Sequence, residues 1–225
     1  KFNRPLVSIQ FDDSYKSSLV GQQIVKSFGW NAMQNVITGE ITRPIHDPDY
    51  MTAADIATWI SQGGTIGCHT VSHPNLTTKD QATITAELDG CKSYLTTLTG
   101  KAPTQFVTPE CASDARVVAT AKTMFESLRN CASPTNFRTG FDAFNLNSIN
   151  VLSTTTDDEL RSILAAAKAS GGWTIIVYHM VNASNADAYS VTSATLTRHM
   201  QLIKDSGIAV VDTAAALHEV QAQID

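Results

Sequence analysis

Residues 6–13 read Leu6-Val7-Ser8-Ile9-Gln10-Phe11-Asp12-Asp13. A short, mostly apolar run ends on two adjacent acids. Such a run, bounded by polar residues, reads as a buried strand. Two carboxylates at its end are costly, because like charges in a low-dielectric pocket repel each other. The same pattern recurs along the chain. It gives candidate strands at 6–11, 33–37, 65–68, 105–108, 126–130, 148–152, 174–178 and 208–211. Helical stretches lie between them, near 15–28, 52–62, 79–98, 113–124, 157–170, 193–205 and 213–223. Thr78 followed by Gln81 fits a capping box, and Gly100 suits the far end of that helix. Asp157 and Asp158 sit where a helix N-terminus favours acids, and Gly171-Gly172 ends the same helix.

Strand–helix alternation of this kind predicts an α/β fold with parallel strands and right-handed crossovers. The expectation is a single domain over residues 1–225, a distorted (β/α) barrel of about seven or eight strands. An open doubly wound sheet is the alternative. Both architectures place function at the carboxyl ends of the strands. Polar residues should therefore follow the apolar runs, and they do. Asp12-Asp13 follow the first run, His69 the third, Pro109-Glu110 the fourth and His179 the seventh.

Composition excludes several classes. Charged residues are 16% of the chain and hydrophobic ones 43%, which rules out a disordered tail or a coiled coil. No apolar run approaches a membrane span. A net charge of -5 argues against nucleic acid as a partner, since phosphate binding needs a basic surface. No linker, repeat or low-complexity tract appears.

His69-Thr70-Val71-Ser72-His73 places two histidines four residues apart, a spacing that lets both face one metal ion. Pro74 favours a bend over a continuous helix, and Thr70 stands where the metalloprotease helix has its glutamate. A bound cation also resolves the cost of Asp12-Asp13, pairing with one carboxylate and leaving the other as a base. Asp, His and His make a three-ligand set with open positions, the pattern of a catalytic metal. The bland alternatives are a helix cap and two loop histidines. His179 ends the most apolar strand and is a candidate general acid. His46, His199 and His218 read as surface or structural. Trp30, Trp59 and Trp173 read as packing, with Trp173 at the strand end far from the site.

This constellation resembles the NodB-homology polysaccharide deacetylases, carbohydrate esterase family 4. Phe11-Asp12-Asp13 looks like that family's first motif and His69-Thr70-Val71-Ser72-His73 like its second. Ile175-Ile176-Val177-Tyr178-His179 looks like its fifth. The resemblance implies a distorted barrel, commonly of seven units. It also implies Asp13, His69 and His73 as metal ligands, Asp12 as general base and His179 as general acid. The third motif corresponds to Phe106-Val107-Thr108-Pro109-Glu110. Glu110 there replaces the customary Tyr and would lend its backbone N–H to the oxyanion. The Arg of that motif, which supports the base, is missing, and so is a recognisable fourth motif. Asp142 and Asp212 are the candidates to orient His179. These departures resemble the biofilm-polysaccharide branch more than the xylan and chitin branch.

The implied cofactor is one divalent metal, with Zn²⁺ expected and Co²⁺ or Ni²⁺ able to substitute. The implied substrate is an acetylated polysaccharide or oligosaccharide, cleaved at an N-acetyl amide. An O-acetyl ester and a catalytically weak carbohydrate-binding domain are the rival readings. No protein partner is implied. Four cysteines allow three full pairings. Within the family frame, Cys111 and Cys131 follow neighbouring strands and are expected to form a disulfide, while Cys68 packs in the core. The chain start and the polar composition read as a secreted protein whose signal peptide has been removed. Asn75-Leu76-Thr77 and Asn182-Ala183-Ser184 fit the glycosylation pattern.

Overall fold

A computed structural model describes residues 1–183 and 187–224. Ser184 of the second glycosylation pattern lies outside them. In chain order the first strands are β1 (Leu6–Phe11), β2 (Met33–Val36), β3 (Thr65–Cys68), β4 (Gln105–Val107) and β5 (Ser127–Arg129). Then come β6 (Thr135–Asn136), β7 (Ile149–Asn150) and β8 (Trp173–Tyr178). A separate pair, β9 (Met180–Asn182) and β10 (Ser190–Thr192), precedes β11 (Ala209–Val210). The parallel sheet runs β5-β4-β3-β2-β1-β8, with β7 on the far edge of β8. Leu146 bridges back to Arg129, so residues 146–150 link the two edges of a curled, seven-position sheet.

The eighth predicted strand does not complete a barrel. β8 pairs with the whole of β1, from Leu6 to Phe11. The other edge of β1 is shared, with β2 on Gln10 and Phe11 and β11 on Leu6 and Val7 only. The splayed lower end of β1 and β2 thus leaves room for just two residues of β11.

The helices are α1 (Ser18–Ser27), α2 (Thr38–Thr42), α3 (Ala53–Ser61), α4 (Gln81–Thr99), α5 (Ala115–Lys122), α6 (Asp157–Ser170), α7 (Ser193–Ser206) and α8 (Thr213–Gln221). Thr156 and Glu159 close a capping box on α6, and Gly171 caps its end at φ 63°. The capping box expected at Thr78 is not formed. Thr78 ends a short 3₁₀ turn, and the nearer Asp80 caps α4 by accepting from Thr83 N at 2.8 Å.

Strand alternation divides the core. Val7, Ile9 and Phe11 of β1 face outward and join a cluster with Val25, Trp59, Leu88 and Leu164 under the helices. A buried Phe or Leu of this kind contributes roughly 1.5–3 kcal/mol. Leu6, Ser8, Gln10 and Asp12 face inward. The lower interior is apolar, where Leu6 meets Trp173, Ile175, Val177 and, from α8, Leu217 and Val220. Trp173 is at this end, as expected, donating to Ser8 Oγ at 3.0 Å. Higher up the interior turns polar. Gln10 donates to Thr213 Oγ1 at 3.1 Å and accepts from Asn35 Nδ2 at 2.9 Å. Asp12 and His179 continue the inward registers of β1 and β8 at the open end.

Candidate active site

The loops at the carboxyl ends of β1, β3 and β4 hold every non-glycine residue with positive φ among the described residues: Asp13, Ser14, Thr70, His73, Glu110 and Cys111. Left-handed backbone costs about 1–3 kcal/mol per such residue and persists where surrounding structure enforces it, commonly at functional sites. The loops border a cavity of about 340 Å³ lined by Asp12, Asp13, His69, His73, Glu110 and His179, together with Arg129, Asn150 and Tyr189. The predicted metal ligands, base, acid and oxyanion residue therefore line one cavity, whereas Asp142 and Asp212 do not.

Asp13, His69 and His73 converge, each offering a ligand atom within 4.8 Å of the others. Asp13 Oδ1 lies 3.3 Å from Nε2 of both histidines. His69 Nδ1 donates to Val107 O at 2.9 Å, which turns Nε2 toward Asp13. Burial pushes the Asp13 carboxyl up. Hydrogen bonds from His69 and His73, with charge from His69 and His179, outweigh it and hold the group well below the ordinary range. Two imidazole nitrogens and a carboxylate are the donor types that Zn²⁺ prefers, and the cavity side stays open. These residues fit a divalent cation.

Asp12 is 5% exposed and fully engaged. Its Oδ1 accepts from Asn35 Nδ2 at 2.7 Å and its Oδ2 from Arg129 Nη2 at 2.5 Å. Burial raises the carboxyl's affinity for a proton. The Arg129 guanidinium, with His69 and His179, more than offsets this, so the carboxyl sits below its ordinary value. The arginine that the third motif lacks is thus supplied by the next strand, β5. Arg129 also donates to Ser148 Oγ at 2.8 Å. Sequence reasoning missed this role, although an arginine ending the inward register of a predicted strand was a usable signal.

His179 Nε2 faces Asp13 Oδ2 at 3.8 Å. Burial pushes this imidazole down against the pull of Asp12 and Asp13, and it lies below its ordinary value. Neither expected acid orients it. Asp142 accepts from Phe144 N at 2.8 Å. Asp212 caps α8 and accepts from Thr65 Oγ1 at 2.7 Å. Asp142 is committed to a local turn and Asp212 to the α8 cap and Thr65, and neither lines the cavity. His179 Nδ1 is buried and has no hydrogen-bond partner among the described residues, and the ring packs on Tyr189 with centroids 4.8 Å apart.

Glu110 accepts from Asn75 Nδ2 at 2.9 Å, so its side chain turns toward the β3 loop. Cys111 and Cys131 face each other with Cα atoms 5.6 Å apart, within the usual disulfide span. Cys68 and Cys91 are unpaired and buried. His199 is buried in the core, 3.1 Å from Tyr178 Oη, in the structural role expected.

The family model described as Polysaccharide deacetylase matches residues 1–124. No curated protein matches the chain. Among solved structures, peptidoglycan deacetylase PdaC from Bacillus subtilis, crystallised as a mutant, is 15% identical with a TM-score of 0.63, over 98% of this chain and 93% of that one. A family 4 carbohydrate esterase from Streptomyces lividans, in complex with acetate, is 15% identical with a TM-score of 0.62, over 94% and 93%. A family 4 pseudoenzyme from Bacillus anthracis is 15% identical with a TM-score of 0.68, over 97% and 67%. At such identities the likeness shows the fold alone.

Proposed function

Since the chain belongs to the polysaccharide deacetylase family, we propose that it is a metal-dependent hydrolase removing acetyl groups from a polysaccharide, with residues 1–225 as its catalytic domain. The observation that carries this is an ionised, arginine-held Asp12 beside the Asp13–His69–His73 cluster, with His179 on the same cavity. A divalent cation held by the cluster, Zn²⁺ by its donor set, supplies Lewis acidity toward water and the acetyl carbonyl. Asp12 takes the proton of the attacking water. The Glu110 N–H stabilises the oxyanion. His179 delivers a proton to the departing amine or hydroxyl.

The N-acetyl amide is the first reading, since an amine leaves poorly without a proton. One observation favours the O-acetyl ester: among the described residues no carboxylate backs His179 Nδ1, and an ester depends less on the acid. Metal-stripped protein is expected to release acetate only after Zn²⁺ or Co²⁺ is restored. N-acetylglucosamine oligomers and acetylated xylan, assayed side by side, decide between amide and ester. Release from neither, with metal retained, moves the reading to a carbohydrate-binding domain.

We assign the work to the outside of the cell. Among the described residues no helix is long and apolar enough to cross a membrane. A Cys111–Cys131 disulfide suits an oxidising compartment and ties the Glu110 loop to the end of β5. Non-reducing peptide mapping is expected to recover Cys111 linked to Cys131, with Cys68 and Cys91 alkylated only after unfolding. Free thiols at both 111 and 131 overturn the assignment.

A further inference from the structure

The loop after β3 carries two of the three clustered ligands and is bent into left-handed backbone at Thr70 and His73. Its carbonyls face α2. Thr38 N donates to Thr70 O at 3.2 Å and Gly39 N to Val71 O at 2.8 Å. A Cβ at position 39 would stand 2.5 Å from Val71 O, so glycine is what lets α2 close on the loop. The loop's N–H groups face the other way, toward α4. Those of Val71 and Ser72 converge on Glu87 Oε2 at 2.8 and 2.9 Å. The Ser72 hydroxyl donates to Oε1 of the same carboxylate at 2.5 Å. Successive N–H groups around one anionic oxygen form a backbone nest. One turn along α4, a Cβ at Gly90 would stand 3.0 Å from Val71 Cγ2, so this face of the helix is shaped to the loop.

We propose that Glu87 is a positioning residue for the metal ligands. Through the Val71 and Ser72 N–H groups it fixes the turn between His69 and His73. The proposal rests on the metal-dependent reading above. The two histidines are anchored differently. His69 closes β3, and its ring is tied to Val107 O. His73 hangs from the turn, held by its own N–H to Thr70 Oγ1 at 2.9 Å. Take away the carboxylate and two N–H groups at the turn lose their acceptor. Thr70 and His73 are then free to leave the left-handed region, and the His73 ring moves off Asp13. Partners behind a metal ligand typically account for about 10–100-fold in metal affinity.

The test is Zn²⁺ affinity of the metal-stripped full chain, read by competition with a chromophoric chelator. Glu87→Ala is expected to weaken binding about 10–100-fold, with the thermal midpoint of the metal-free protein little changed. Glu87→Gln keeps an oxygen for the two N–H groups and should recover most of the affinity. Should Glu87→Ala fail to fold, Ser72→Ala removes one of the three hydrogen bonds and is expected to show a smaller loss. A folded Glu87→Ala, or in its place Ser72→Ala, that binds Zn²⁺ as the wild type does overturns the proposal alone. A wild type that takes up no Zn²⁺ overturns the hydrolase reading and this proposal with it.

Discussion

Asp12→Asn is expected to lower kcat about 10²–10⁴-fold while leaving metal uptake intact, whereas His73→Ala removes both. The distinction follows from what each side chain touches. Asp12 accepts from Asn35 and Arg129 and stands outside the Asp13–His69–His73 cluster. An asparagine there keeps an oxygen for Asn35 but cannot accept a proton from water. His73 supplies one of the three clustered ligand atoms, and its loss leaves two. The measurement is acetate release beside Zn²⁺ content for each purified variant. Asp12→Asn turning over within about tenfold of the wild type would remove Asp12 as base. His73→Ala with metal-dependent turnover would remove the ligand set.

Much of this site was legible because a parallel sheet converts sequence order into place. A run such as Thr65–Cys68 ends at the open rim, so the next residue, His69, must lie there too. The strands themselves were readable because their apolar runs match the sheet to within a residue or two at each end. What escaped detection depended on contacts distant in sequence. Arg129 lies 117 residues from Asp12, and only the curl of the sheet brings β5 across to β1. Glu87 is one acid on a helix with a weak apolar face, and its meaning comes from a loop 15 residues earlier. The small elements carry no periodic signal. The five residues of α2 lack a capping side chain, and β6 is two polar residues added to the foot of β8. His179 shows the reverse error. The sequence offers two acids for it, but a local turn claims Asp142 and the α8 cap with Thr65 claims Asp212.

Arg129→Met is expected to destabilise the fold by about 3–5 kcal/mol at neutral pH, because it leaves Asp12 buried and ionised without its partner. Arg129 and Asp12 are 3% and 5% exposed, so water cannot replace the lost contact. The pH dependence has a definite sign. In the wild type the Asp12 carboxyl lies below its reference value of 3.8, so its contribution is present above that pH and is lost as the pH falls through the lowered value. In the variant, burial acts unopposed by Arg129 and pushes the carboxyl up. The protonated form is then tolerated at low pH, and stability is lost as the pH rises through the raised value. The gap between the two proteins should therefore widen from acid toward neutral pH. Urea denaturation across that range measures it. Asp12→Leu combined with Arg129→Met removes both charges and is expected to cost less than Arg129→Met alone. If the single variant loses under about 1 kcal/mol at neutral pH, or the gap narrows as the pH rises, the ion pair is not what holds the base in its charged state.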